Sequence, residues 1–239
     1  MKKLLLSALA VLIAAAGPAQ TRNDSPGSVT INKCSDFTVT GNGSSDAWST
    51  TEWIMLNPHE QGVKGYETKV KVLYSEKGLY FLYYCQDEKL TNTMHDDNMN
   101  LWEEDVVELF LWTSEDFPVY FEYEISPTDF ELPIMVPNYK GRFLGWLPWN
   151  YAGDRRIIHA TAVTGGPKVG GALVTGWTAE FFIPYKLLNP LPQVPPVSGT
   201  KWRANMYRID YDNEPVHFSW QRTQRTFHEY TSFGTFIFE

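Results

Sequence analysis

The chain has 239 residues, with 28 Asp and Glu against 20 Lys and Arg, a formal charge of −8. That acidic balance argues against nucleic acid and anionic membrane surfaces as partners, and suits a neutral ligand held by hydrogen bonds. Aromatic residues at 15% and a length in the single-domain range provide one large core with rings to spare for a surface.

At the N-terminus, Lys2 and Lys3 precede an apolar run, residues 4–16, that is short for a bilayer span. Small residues follow at 14–16 and 17–19. Residues 1–19 are therefore expected to be a secretory signal peptide, and the mature protein secreted or periplasmic with no membrane insertion. Its loss takes two lysines and leaves a charge of −10. Residues 20–35 form a polar lead segment, and 36–239 the folded domain. The two cysteines, Cys34 and Cys85, stay open between a disulfide and free thiols, because Cys85 lies in phase with apolar neighbours at 79, 81 and 83.

From residue 36 the chain gives short strands with turn punctuation. Residues 36–40 are a first strand, 41–45 a turn, and Ala47 and Trp48 begin to enter the core. Residues 69–74 and 79–86 form a hairpin about a turn at 75–78. The polar stretch 87–100 leads into 105–112, where Val107, Leu109 and Leu111 share a wholly apolar face. On the other face Glu108 lies between Val106 and Phe110, and Glu104 and Trp102 join it if the strand runs back that far. Residues 120–126 alternate again, with Phe121, Tyr123 and Ile125 opposite Glu122 and Glu124.

Residues 130–155 carry Pro133, Pro137, Gly141, Gly145 and Pro148, and are expected to be an irregular aromatic loop with Trp146 and Trp149. Strands follow at 157–163 and 177–183, a single helical turn at 184–188, then strands at 201–211, 216–220 and 235–239. Short strands with Gly and Pro turns and little helical periodicity predict an all-β fold, a mostly antiparallel β-sandwich.

The run from Leu101 to Phe110, L-W-E-E-D-V-V-E-L-F, resembles the core motif of family 9 carbohydrate-binding modules and of secreted family 9-like proteins. Further pieces in the same order are Leu79-Tyr80-Phe81 with Asp87, residues 176–184, 202–208 and 227–234. The resemblance implies a non-catalytic sandwich holding a saccharide in an aromatic clamp, as a stand-alone glycan binder or beside glycan-degrading enzymes in polysaccharide utilisation. Trp102 takes one side of the clamp, and Glu108 bonds the sugar hydroxyls. Two positions depart from the family pattern. The second clamp tryptophan aligns with Phe227, and the strand that should carry a sugar-binding arginine has Glu122 and Glu124.

The candidate ligand-binding set is thus Trp102, Glu108, Glu124, Asn205, Arg208, Phe227, His228 and Trp146. An aromatic ring stacks on the C–H face of a pyranose, a carboxylate accepts two hydroxyls, and Asn205 both donates and accepts. Glu108 alternatively forms a buried ion pair with Arg208 or Arg203, and Glu180 is structural, paired with an arginine. Residues 95–98 (His-Asp-Asp-Asn) offer oxygen ligands for structural calcium but lack a defined loop spacing and fit a solvated turn; no cofactor is expected. Two other classes stay in view. A glycoside hydrolase could use Glu108, Glu122 and Glu124, since residues two apart on a strand have Cα atoms about 6.5–7 Å apart. A haem-binding electron-transfer sandwich could draw on Met94, His95 and Met206 as axial ligands.

Overall fold

The computed structural model describes residues 26–60, 66–149 and 151–239. Among them are β1 (Ser28–Lys33), β2 (Ile54–Pro58), β3 (Thr68–Tyr74), β4 (Gly78–Gln86), β5 (Val106–Trp112), β6 (Val119–Ile125) and β7 (Glu131–Tyr139). After these come β8 (Arg142–Phe143), β9 (Leu147–Pro148), β10 (Ile158–Thr164), β11 (Gly176–Pro184), a helical turn α1 (Tyr185–Leu188), β12 (Lys201–Asp210), β13 (Val216–Ser219) and β14 (Gly234–Phe238). The order β10-β11-β4-β3 makes a back layer, and β14-β12-β5-β6-β7 a front layer. Strand β1 joins them by pairing in parallel with both β3 and β14, and β2 and β13 make a second antiparallel link on the same side. The result is a β-sandwich closed along one edge, antiparallel apart from the two pairings of β1.

Alternation along each strand builds the core between the layers. Val107, Leu109 and Leu111 of β5, Phe121 and Tyr123 of β6, and Ala204 and Met206 of β12 point inward against Val72, Phe81, Tyr83, Ala179 and Phe181 of the back layer. Cys85 lies in this core, and Cys85 and Cys34 are both free thiols. Burial pushes the Cys85 thiol up to about 12. Gly78 lets the start of β4 lie close against β11, since a Cβ there would sit 2.3 Å from the carbonyl oxygen of Ile183.

Each layer also carries an apolar outer face under loops. On the back layer, Leu73, Tyr80 and Leu82 are covered by residues 34–48, with Trp48 only 4% exposed. That segment corrects one expectation, since 36–40 is not a strand. It wraps instead around Glu180, whose Oε2 accepts from the backbone N–H groups of Thr40 and Gly41 at 2.7 Å, while Oε1 accepts the Trp48 indole N–H at 2.8 Å. Glu180 is therefore structural, with N–H donors where an arginine was expected.

Two further boundaries move. Ser28–Lys33, placed by the sequence in a lead segment, is a strand central to the joined layers. The expected signal peptide, residues 1–19, lies outside the described residues. Glu131–Tyr139, expected to be irregular, is a nine-residue strand paired with β6 from Glu131 to Pro137. Its prolines are tolerated because N–H and C=O groups of alternate residues point to opposite sides. The carbonyls of Pro133 and Pro137 point away from β6, accepting from Trp149 and Leu144, so the missing N–H groups fall on the outer edge. No helix of the described residues is long and apolar enough to cross a membrane.

Because Glu180 alone satisfies several N–H groups of the 40–48 wrap, Glu180→Ala should cost on the order of 3 kcal/mol by leaving buried donors unmet. Urea unfolding of the variant against wild type measures this, and a loss under about 1 kcal/mol would show the wrap to be held by apolar contacts alone.

Candidate functional site

The site lies on the outer face of the front layer, where the second face of β5 is met by β6, β7 and β12. Register sets its floor in cross-strand rows. One row runs Tyr207, Glu108, Glu124, Leu132, and the next Asn205, Phe110, Glu122, Ile134. The strands thus bring three carboxyl groups side by side among apolar rings, with Glu108 and Glu122 each 3% exposed and Glu124 fully buried.

Loops raise walls around this floor and leave a cavity of about 580 Å³. A 3₁₀ turn at Leu101–Glu103 interrupts the strand that the sequence allowed to run back to Trp102, yet it still delivers that side chain to the cavity. Glu104 leaves the floor, because its carboxyl accepts from the N–H groups of Thr93 and Met94. Trp146, from the loop between β8 and β9, meets Trp102 edge-on at 5.7 Å between centroids. Across the cavity, Phe227 lies flat on the Tyr207 ring, with centroids 3.9 Å apart and planes within 14°. The imidazoles of His59 and His217 stand edge-on to Phe227 at 6.0 and 5.7 Å. His228 is stacked under Phe143 at 4.2 Å, and its Nδ1 lies 2.7 Å from the Tyr120 hydroxyl.

Electrostatics follow from burial. The Glu108 carboxyl is pushed up to about 8 by loss of solvent. Burial moves Glu122 and Glu124 well above the usual carboxylate range, and the negative charge of Glu108 adds to both. His228 is driven down to about 4 by burial, so it is neutral near pH 7. Both oxygens of Glu124 and Oε2 of Glu122 are buried without a hydrogen-bond partner. Among the described residues, the basic side chain nearest these carboxyls is the neutral His228 imidazole, 3.7 Å from Glu122.

Six of the eight residues expected from sequence line the cavity: Trp102, Glu108, Glu124, Trp146, Phe227 and His228. Two do not. Arg208 pairs with Val107 across the ladder and so lies on the core face of β12, fully buried. Its guanidinium donates to Asp87 at 3.0 Å and to Asp210, which also removes the alternative of an ion pair with Glu108. Arg203 is engaged elsewhere, with Glu115 and the carbonyl of Phe233. Asn205 faces the correct side but is sealed beneath the loop. Its Nδ2 donates to the Tyr207 hydroxyl and the Gln221 carbonyl, and its Oδ1 accepts from Met206 and Gln221. Asn205 therefore anchors the wall that carries Phe227 and has no bond left for a ligand. Trp149 also points elsewhere, donating to the Leu187 carbonyl and lining a smaller cavity with Tyr151.

Glu122 was named only for catalysis, but belongs to the floor, and its parity with Glu124 was the available signal. His59 and His217 reach the rim through β2 and β13, a link with no local sequence signature. Met206 lies in the main core and His95 in an exposed turn, so the haem candidates are not brought together. In that turn Asp97 accepts from the Glu131 backbone N–H at 3.1 Å. Among the described residues, Asp87, Asp210 and Asp212 are the carboxylates that converge closely enough to hold a cation, and two of them already bind Arg208.

An aromatic-walled cavity with a polar floor on one face of a β-sandwich has the form of a site for a small ligand. Residues 39–132 match the family model described as "Carbohydrate family 9 binding domain-like", which shows the resemblance that the motif around Glu108 implied. A candidate carbohydrate-binding protein from Bacteroides uniformis superposes with a TM-score of 0.72 at 17% identity, over 90% of this chain and 100% of that one. A family 9 carbohydrate-binding module from Caldicellulosiruptor kristjanssonii, in complex with cellotriose, gives 0.62 at 15% identity over 89% and 93%. The same module with glucose gives 0.61 at 16% identity over 89% and 95%. These likenesses show a family 9-like fold. No curated protein matches the sequence.

The floor carries a pH signature. Unfolded carboxyls lose their protons near pH 4, whereas the buried ones keep theirs, so the folded state binds more protons as pH rises. Stability should therefore fall between about pH 6.5 and 8, by up to roughly 1.4 kcal/mol per pH unit for each such acid. Asp105, raised by burial to about 8, adds the same sign. His228 acts only at lower pH, where its depressed value means stability lost as pH falls below about 6.5. Urea unfolding at pH 6.5 and 8 should show the decline, and Glu122→Gln should lessen it. Equal stability at both pH values would mean that these carboxyls are ionised in the folded protein.

Proposed function

We propose that this protein binds a saccharide non-covalently in the cavity on the front layer, with Trp102 and Phe227 as the two aromatic arms. The carrying observation is the placement of Trp102, Trp146 and Phe227 around a floor of carboxyl groups. Flat apolar rings bury the C–H faces of a sugar, and the carboxyls take its hydroxyl hydrogens. The solved likenesses that hold cellotriose and glucose support the same ligand class.

Binding without chemistry is the reading the electrostatics favour. Glycoside hydrolysis needs one carboxyl held protonated and another kept ionised as base or nucleophile. Here burial raises Glu108, Glu122 and Glu124 together, and among the described residues no cation holds one of them low. Steady release of reducing sugar by the purified protein would overturn this part of the proposal. The protein acts outside the cytoplasm after loss of residues 1–19, alone or beside glycan-degrading enzymes. N-terminal sequencing of exported protein should start between residues 17 and 22, and an intact Met1 would contradict it.

A glycan array on the mature protein identifies the saccharide, and calorimetric titration of variants tests the site. Trp102→Ala should lose on the order of 2 kcal/mol or more of binding energy, and Phe227→Ala a comparable or smaller amount. Both should melt closer to wild type than Leu109→Ala, whose cavity in the main core costs about 2–5 kcal/mol of stability. Undiminished binding by folded Trp102→Ala would place the site elsewhere.

A further inference from the structure

Among the described residues, the carboxyl floor of the cavity has no cationic side chain paired with it. Glu108, Glu122 and Glu124 face the cavity from adjacent strands, and three of their oxygens, both of Glu124 and Oε2 of Glu122, are buried without a well-aligned hydrogen-bond donor. Glu122 and Glu124 lie close enough to interact with each other, and Glu124 lies close to the Trp102 backbone N–H. Buried polar groups are ordinarily satisfied, since an unmet one has given up its hydration for nothing in return. Nearby groups are committed elsewhere. His228 is bonded to Tyr120, Arg222 donates to the carbonyl of His59 at 2.7 Å, and Arg225 to Glu229 at 2.9 Å, both arginines being exposed on the rim.

Once its protons are released, this floor is best completed by a group rich in donors and poor in acceptors. A sugar hydroxyl brings one donor and two lone pairs, whereas an ammonium brings three donors and none. A bare metal ion fits less well. Carboxylate oxygens that hold one must converge, and among the described residues the trio within 4.8 Å of one another is Asp87, Asp210 and Asp212, outside this cavity. The cation suited to the floor therefore has spread donors and an apolar body, and the rings of Trp102, Trp146 and Phe227 favour such a body and its charge alike. Building on the saccharide-binding reading, we propose that the cavity selects a saccharide bearing a free, protonated amino group. The ammonium lies over Glu122 and Glu124, and neighbouring hydroxyls turn toward Glu108. Entry of the cation displaces carboxyl protons, so binding releases protons to solvent.

Calorimetric titration at pH 6 with a β-1,4-linked glucosamine trimer, its N-acetylated counterpart and cellotriose separates the outcomes. The amine trimer should bind about tenfold or more tighter than either neutral trimer, as charge-assisted bonds exceed neutral ones. Its heat should vary with the ionisation enthalpy of the buffer, reporting proton release. Glu124→Gln should reduce the preference for the amine trimer, and the double variant Glu122→Gln, Glu124→Gln should abolish it. Equal or tighter binding of cellotriose or the N-acetylated trimer overturns the inference and leaves saccharide binding intact. Failure of all three to bind also overturns it, and a glycan array empty of every saccharide then removes the binding reading as well.

Discussion

Everything in this molecule turns on a strand that must satisfy two faces at once. Side chains of β5 alternate, and each face meets a different environment. Val107, Leu109 and Leu111 close the main core, while Val106, Glu108 and Phe110 look out onto a second apolar surface. Slipping the register by one residue would drive Glu108 into the centre of the sandwich. The pairing with β6 and β12 is held in place by that penalty, and with it the position of every group on the cavity floor.

Two buried acidic groupings show how the same sheet handles charge in opposite ways. On the core face, Arg208 stands between Asp87 and Asp210, and the hydroxyl of Thr68 and the carbonyl of Gln86 take the remaining donors of its Nη1. On the outer face, Glu108, Glu122 and Glu124 have no such cation among the described residues, and burial favours keeping protons on them. An uncompensated site of this kind weakens the fold at alkaline pH, and such a cost fits a surface shaped for a ligand. Asn205 and Tyr207, one residue either side of Met206, tie that surface to the wall loop through Gln221 and Phe227.

Much of the fold and site was legible in local pattern. Alternation assigned Val107, Leu109, Leu111, Phe121 and Tyr123 to the core and put Glu108, Glu122 and Glu124 on the opposite face. Trp102 was recoverable from the motif around it even though a 3₁₀ turn replaces the extended backbone there. The strand Glu131–Tyr139 was hidden by Pro133 and Pro137, because composition does not reveal which side of a strand each missing N–H will face.

By itself, then, the sequence determined the β-sandwich class, the two-faced character of β5 and β6, and the aromatic and acidic chemistry of the site, since all three follow from side-chain period and residue type. Only the tertiary structure decided that Arg208 belongs to the core, that Asn205 is consumed by the wall, and that His59 and His217 reach Phe227. Those outcomes depend on pairing between distant strands: β12 against β5 sets the face of Arg208, and β13 against β2 carries the histidines to the rim. Cross-strand register between segments far apart in the chain leaves no local periodicity to read.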